Sequence, residues 1–176
     1  MTIEDRIAGA IDIVRIAGGR IVGRTRLQKI ACLLELSQLG YGFHFEYHHF
    51  GPYSEDLTTA IQIAVIEQKL DEIEQRANWG GIYSDYRLSS DPVDNNIGTV
   101  SNDEIKCQLI KKAAGADSLV LELATTAAYF AGKVNDPWEE TKQRKFEKSQ
   151  DGRLDLAKAL YAELKNIVSS LPNIDP

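Results

Sequence analysis

Cysteine and long apolar runs are scarce in this sequence. There are two cysteines, Cys32 and Cys107, and each lies in an apolar, helically spaced stretch, which is typical of a buried free thiol. No apolar run approaches the roughly 20 residues that cross a bilayer, and the charged, amphipathic start is unlike a secretory signal. We therefore expect a cytoplasmic protein with reduced thiols and no membrane contact.

The common enzyme motifs are missing as well. The sequence holds no nucleophile elbow, no Walker loop and no glycine fingerprint for dinucleotides. Its paired glycines are better explained by a helix end, at Gly18 and Gly19, and by a turn, at Gly80 and Gly81. Because no reactive site is visible, we expect no catalytic residue and no cofactor, and hence no enzyme.

The composition suits one compact domain or two small lobes that share a core. Of the 176 residues, 43% are hydrophobic and 26% are charged, which is ordinary for a globular protein. The net charge of −6 does not exclude nucleic acid, whose binding would need a concentrated basic patch, and it fits at least as well with a basic protein partner.

The first half of the chain, residues 1–90, has the element order of a winged helix. The second of its helices is expected to begin with a capping box of Thr25 and Gln28. The hairpin, around residues 78–81, takes the place of the wing. In order, the patterns predict a helix from Ile3, a strand at residues 20–22, the capped helix, an aromatic strand at residues 43–50, a helix at residues 54–70 and the hairpin.

The second half is predicted to be entirely helical. Residues 91–101 are polar, contain proline and glycine, and are expected to form a linker loop. Residues 102–171 then form a helical bundle packed on the first lobe, either as a lobe of its own or as part of one domain. Capping signals place helix starts at Asp117 or Ser118 and at Asp136, before Pro137. The expected class is mostly α, of the α+β type.

The stretch YHHFGPYSEDL, at residues 47–57, raises the question of a metal site. The three side chains of His44, Glu46 and His48 share one face of the predicted strand. In an extended chain the two histidines are about 13 Å apart, too far to share an ion, and no third ligand is near. We expect no metal, and interpret the stretch as a strand, a turn and a capped helix, with structural residues Gly51, Pro52 and Ser54.

DNA binding is the alternative that the winged-helix order suggests. The third helix would enter the major groove, but its polar positions are acidic or neutral, with Lys69 alone at the far end. DNA is therefore disfavoured as a partner. Two basic patches lie elsewhere: Arg20, Arg24, Arg26 and Lys29 in the first half, and Lys142, Arg144, Lys145 and Lys148 in the second.

Aromatic residues at turns favour a protein partner instead. Tyr and Trp are enriched at interfaces, and five of them are not assigned to a core by periodicity: Tyr53, Trp79, Tyr83, Tyr86 and Trp138. The predicted partner-binding residues are Trp79, Tyr83 and Tyr53 as anchors, with Arg24 and Arg26 as polar contacts.

Several motifs also carry a family resemblance. They are Leu27-Gln28-Lys29, the aromatic strand, Gly51-Pro52-Tyr53-Ser54, and the later stretches LELATTAAYF and DPWEETKQRK. With them the sequence resembles the YwgA-like bacterial family and, more distantly, the Panacea-domain, SocA-like antitoxins. The resemblance implies a winged-helix-related core with added helices. It also implies a non-catalytic regulator, antitoxin-like or defence-associated, that binds a protein partner such as a toxin.

Overall fold

The computed structural model describes residues 1–78, 80–89 and 104–175. These residues form a mixed α+β structure that is mostly helical, so the predicted class is confirmed. The predicted linker at residues 91–101 and the anchor Trp79 lie outside the described residues. The elements are α1 (Ile3–Ile16), β1 (Arg20–Val22), α2 (Arg24–Leu36), β2 (Glu46–His48), β3 (Gly51–Tyr53), α3 (Glu55–Ile66), β4 (Leu70–Arg76), β5 (Ile82–Leu88), α4 (Glu104–Ala114), α5 (Ser118–Phe130), α6 (Pro137–Arg144) and α7 (Arg153–Ile167).

Short polar side chains begin several of the helices. Thr2 and Asp5 form a reciprocal capping box on α1. Asp117 accepts hydrogen bonds from the first turn of α5. Asp136 does the same for α6, whose first residue is Pro137.

Two predicted helix boundaries were wrong. α2 begins directly after Gly23, and Thr25 lies inside it without capping it. The partner expected in that capping box, Gln28, instead has its amide bonded to another segment. The third helix ends at Ile66 rather than at residue 70, because Gln68 takes a left-handed conformation with φ 57° and the chain turns into β4.

The aromatic strand predicted at residues 43–50 is much shorter in the structure. Only β2 is extended and paired, and its partner is β3, with His48 opposite Gly51 and Glu46 opposite Tyr53. The chain therefore reverses before the Gly-Pro pair, and that pair belongs to the returning strand. The predicted alternation of inward and outward side chains survives, since Phe43 is buried and His44 is exposed.

The main sheet has three antiparallel strands in the order β1-β5-β4. Ile21 lies opposite Tyr86 in the register of β1 and β5. Both side chains are buried, as is Leu70 on β4, so this face of the sheet packs on the helices. The other face is called the outer sheet face below.

One continuous core joins the two halves of the chain. α5 lies at its centre, with every residue from 120 to 128 buried. α2 packs against α5 from the first half, while α6 and α7 pack against it from the second. Trp138 and Tyr161 meet edge to face in this core, so Trp138 is not an exposed aromatic. No helix in the described ranges is long and apolar enough to cross a membrane.

Candidate functional site

Two of the quoted motifs meet in space, although they are 22 or more residues apart in the chain. The side-chain amide of Gln28 on α2 makes two hydrogen bonds to the backbone of Ser54. Its Oε1 accepts from the Ser54 N–H at 2.8 Å, and its Nε2 donates to the Ser54 carbonyl at 3.0 Å. The next residue, Lys29, donates from Nζ to the Pro52 carbonyl at 2.7 Å. The Leu-Gln-Lys motif thus binds the backbone of the Gly-Pro-Tyr-Ser motif, and Ser54 in turn caps α3.

We call residues 49–54 the clamped turn, because side chains hold it from both halves of the molecule. Besides Gln28 and Lys29, the Nζ of Lys145 donates to the His49 carbonyl. Gly51 has a positive φ of 85°, which L side chains rarely adopt. A Cβ on Gly51 would lie 2.9 Å from the Thr126 hydroxyl of α5, so a side chain has no room there.

A buried group of charges lies beneath the clamped turn. The Glu122 carboxylate, 3% exposed, accepts from Lys145 Nζ at 3.0 Å and from Lys148 Nζ at 2.8 Å. Burial, together with the charges of these two lysines, lowers the pKa of the neighbouring Lys29 to about 8, although Glu122 opposes the shift. Burial is the main reason why the charged form of Lys29 is disfavoured, since its Nζ bonds to a carbonyl oxygen rather than to a carboxylate.

Neither basic patch of the sequence stays together as one exposed group of cations. In the first, Lys29 is only 2% exposed. Arg26, a predicted partner contact, donates to the carbonyls of Ala114 and Ala116 and to the Ser118 hydroxyl, and so ties α2 to the connection between α4 and α5. In the second, Lys145 and Lys148 are bound to Glu122 as described.

Arg24 and Tyr53 lie on the inner side of the sheet. Arg24 donates to the Tyr86 hydroxyl at 3.2 Å and to Glu72 at 2.9 Å. Burial alone would raise the pKa of Glu72. The hydrogen bonds that the Glu72 carboxylate accepts nevertheless keep this pKa below its usual value. Tyr53 is hydrogen bonded to Thr58 at 2.8 Å, and with Arg24 it lines a cavity of about 100 Å³.

Tyr83 lies on the opposite, outer sheet face. Its hydroxyl donates to Gln75, directly across on β4, at 2.8 Å. The structure thus brings Arg24 and Tyr53 together but separates both from Tyr83. Tyr86, which the sequence left among the unassigned aromatics, is a core residue with 2% exposure.

The outer sheet face combines apolar side chains with compensated charges. Val22 and Ile73 flank Asp85 across the three strands, and are 37% and 40% exposed. Arg20 binds the Asp85 carboxylate with two hydrogen bonds, of 2.8 and 2.9 Å, and Arg87 binds it at 2.7 Å. These bonds lower the pKa of Asp85 to about 2, so the charge is present and compensated at neutral pH.

Glu46 lies between His44 and His48 and is near both imidazoles. The Nε2 atoms of His44 and His48 each lie 3.9 Å from an oxygen of Glu46. His44 precedes β2, whereas Glu46 and His48 are the first and last residues of that strand. All three side chains are mainly exposed. Within the described ranges no group of His, Cys, Asp and Glu is arranged to hold a metal ion.

A nucleophilic role for Cys32 has no support. The thiol is buried, and burial raises its pKa to about 12, so the reactive thiolate is disfavoured.

The exposed face of α3, the helix expected to enter a DNA groove, carries no cation. Its residues are Glu55, Thr59, Gln62 and Ile66.

Sequence reasoning missed the Glu122 cluster. The sequence does contain a sign of this cluster, because Glu122 is the single carboxylate in the apolar run LVLELATTAAYF. A charge buried in such a run is costly unless an opposite charge is paired with it.

Comparisons with known proteins give one informative match. The chain is similar to the uncharacterized protein YwgA of Bacillus subtilis (strain 168), with 29% identity over 160 residues, which cover 85% of this chain and 90% of YwgA. No protein-family model and no solved structure matches the sequence. The similarity extends over most of both chains, and so supports the resemblance to YwgA-like proteins.

Proposed function

We propose that this chain is a non-catalytic regulator that binds a protein partner through the outer sheet face. The observation that carries the proposal is the pair of partly exposed apolar side chains Val22 and Ile73, which flank the buried Asp85 and have Tyr83 beside them. Apolar and aromatic side chains surrounded by paired charges are the usual make-up of a protein interface.

The electrostatics of this face fit a protein better than a nucleic acid. Arg20 and Arg87 are both bonded to Asp85, and Asp71 lies opposite Arg87 on β4, so two carboxylates balance these two cations and leave no excess for phosphates. Tyr83 has few rotatable bonds and a large contact area, which makes it a good anchor. Trp79 belongs to the same hairpin by sequence and is proposed as the second anchor.

Within this proposal the first half of the chain is winged-helix-like. The supporting observation is the sheet order β1-β5-β4, in which the strand between the first two helices pairs with the last strand of the hairpin. The resemblance to YwgA-like proteins and, more distantly, to Panacea-domain antitoxins adds an antitoxin-like or defence-associated role in the cytoplasm.

DNA binding by the winged-helix half is the second candidate. The exposed stripe of α3, from Glu55 to Ile66, offers no cation, and Lys69 beyond it is paired with Glu67 at 2.6 Å. We expect no measurable binding to random duplex DNA at low salt. Micromolar binding that is lost in Gln62→Glu would favour this second function.

Affinity capture from the native host tests the leading proposal. Tyr83→Ala and Trp79→Ala are expected to weaken capture by about 2 kcal/mol, or roughly 30-fold, with little change in melting temperature. Phe146→Ala is the control, because this aromatic is 62% exposed and belongs to the segment after α6 rather than to the sheet. Equal losses in all three variants, or none in the first two, would refute the outer sheet face as the binding surface.

A further inference from the structure

One edge of the sheet has unused backbone hydrogen-bonding groups. Among the described strands, β1 pairs with β5 on one side only. At the two ends of this pairing the Gly19 carbonyl accepts from the Leu88 N–H, and the Gly23 N–H donates to the Ser84 carbonyl. In an antiparallel pair alternate residues bond to the neighbouring strand, so the N–H and C=O groups of Arg20 and Val22 point away from β5. None of them has a partner in the part of the chain that the structure describes.

An open cavity of about 590 Å³ lies along this edge. Its first wall is the chain from Ile16 to Val22, and its second is the end of α4, with Lys111, Ala114 and Gly115. We call it the edge cavity. Its size is within the range of peptide and ligand pockets, and an extended chain of three residues, about 10 Å long, matches the length of β1.

The charges of the edge cavity are of one sign. Its lining includes Arg20, Arg26 and Lys111 and no carboxylate. Arg20 is compensated by Asp85, whereas Arg26 is bonded to backbone carbonyls and a hydroxyl only. For Lys111 the described residues provide no ion pair, while the adjacent Lys112 is paired with Glu163 on α7. Two cations thus face the cavity without an anion.

We propose that the edge cavity binds an extended acidic segment of a partner protein, which adds a strand to the free edge of β1. Strand addition uses the unpaired groups of Arg20 and Val22. Acidic side chains of the segment compensate Arg26 and Lys111, and its apolar side chains pack on the wall that contains Ala114. The two surfaces meet at β1, because Arg20 and Val22 line the edge cavity and also lie on the outer sheet face. Strand addition uses their backbone groups, whereas the outer sheet face uses their side chains.

A synthetic peptide tests this without the native partner. The probe is a blocked, fluorescein-labelled heptapeptide of alternating valine and glutamate, titrated with the whole protein at low and at moderate salt. We expect saturable binding that weakens with salt. A peptide with lysine in place of glutamate is expected to bind at least tenfold more weakly.

Two variants and a modified peptide locate the site. Lys111→Glu reverses a charge in the cavity and is expected to weaken binding about tenfold. Lys112→Glu, the matched control on the same helix, changes it little because Lys112 does not line the cavity. Methylation of the peptide amides that face β1 is expected to abolish binding. The bound peptide is expected to slow hydrogen exchange at the backbone amides of Arg20 and Val22.

Three outcomes would overturn the proposal. The first is the absence of binding to any of the peptides. The second is binding that survives amide methylation, which would exclude the edge of β1, or binding that survives Lys111→Glu, which would exclude the cavity. The third is a dimer in light scattering that Lys111→Glu dissociates, because a second copy of this chain would then occupy the edge.

Discussion

The clamped turn and the outer sheet face use their polar groups in opposite ways. At the clamped turn Gln28, Lys29 and Lys145 bind backbone carbonyls inside the protein, and their side chains are buried. At the outer face Arg20 and Arg87 cover the Asp85 carboxylate, which has no exposed area, while their own side chains are 52% and 43% exposed. The first arrangement fixes two segments against each other, whereas the second leaves contact area for a partner.

This difference predicts where substitutions destabilise the protein and where they change binding alone. Buried polar groups that lose a partner are costly, because no water replaces the lost bond. Exposed ion pairs contribute little, because water and salt already screen them.

The largest effect is expected for Glu122→Gln. The variant leaves Lys145 buried without its anion, so we expect the free energy of unfolding to fall by about 3–5 kcal/mol. Urea denaturation measures it. Glu163→Gln is the control, since this exposed carboxylate pairs with Lys112 and its loss should cost about 0.5 kcal/mol. Similar losses in both variants would contradict the role given to the buried cluster.

Gly51→Val is expected to cost about 2–4 kcal/mol. The positive φ is strained for valine, and the added carbons would overlap the Thr126 hydroxyl. His48→Ala and His49→Ala, whose side chains are exposed, should each cost less than about 1 kcal/mol. Thermal melts of the three proteins compare them. A histidine variant less stable than Gly51→Val would show that the turn itself is ordinary.

Lys29 is expected to make stability depend on pH in the alkaline range. Its pKa is about 8 in the folded protein and 10.5 as a free side chain. Between these values the unfolded chain binds more protons than the folded chain, so stability gains from rising pH. Wild type should gain about 1–2 kcal/mol relative to Lys29→Met between pH 8 and 9.5. Parallel pH profiles for the two proteins would show that the folded amine keeps its ordinary pKa.

Two tyrosines on β5 sharpen the comparison between the faces. Tyr86→Phe removes the hydroxyl bonded to Glu72 and Arg24 in a buried setting, and is expected to cost about 1 kcal/mol. Tyr83→Phe removes a bond on the outer face and should cost less than about 0.5 kcal/mol. Urea denaturation compares the losses of unfolding free energy in the two variants. A larger loss for Tyr83→Phe would show that the hydrogen bonds of the outer sheet face contribute more to stability.

The smallest expected effect concerns metal. Protein purified without a histidine tag should contain no stoichiometric zinc or iron, because His44, Glu46 and His48 offer too few ligands and lie at the surface. Elemental analysis checks this. About one metal ion per chain, lost in His44→Ala, would contradict it.

The sequence determined the local features, because these depend on neighbours in the chain. Caps at Thr2 and Asp136, the inward and outward alternation at Phe43 and His44, and the hairpin after Leu70 all follow from short patterns. The mostly helical α+β class follows from them, whereas the pairing of β2 with β3 does not.

Only the tertiary structure decided how polar side chains are used. The sequence pattern predicts that Gln28 is part of a capping box, yet its side chain binds the backbone of Ser54. The pattern also predicts that Arg26 is a surface cation, yet it binds carbonyls about 90 residues away. The same residue types suit either role, and short patterns do not state which distant segment comes within reach. Burial then decides the outcome, since a buried donor must find an acceptor whereas an exposed one has water.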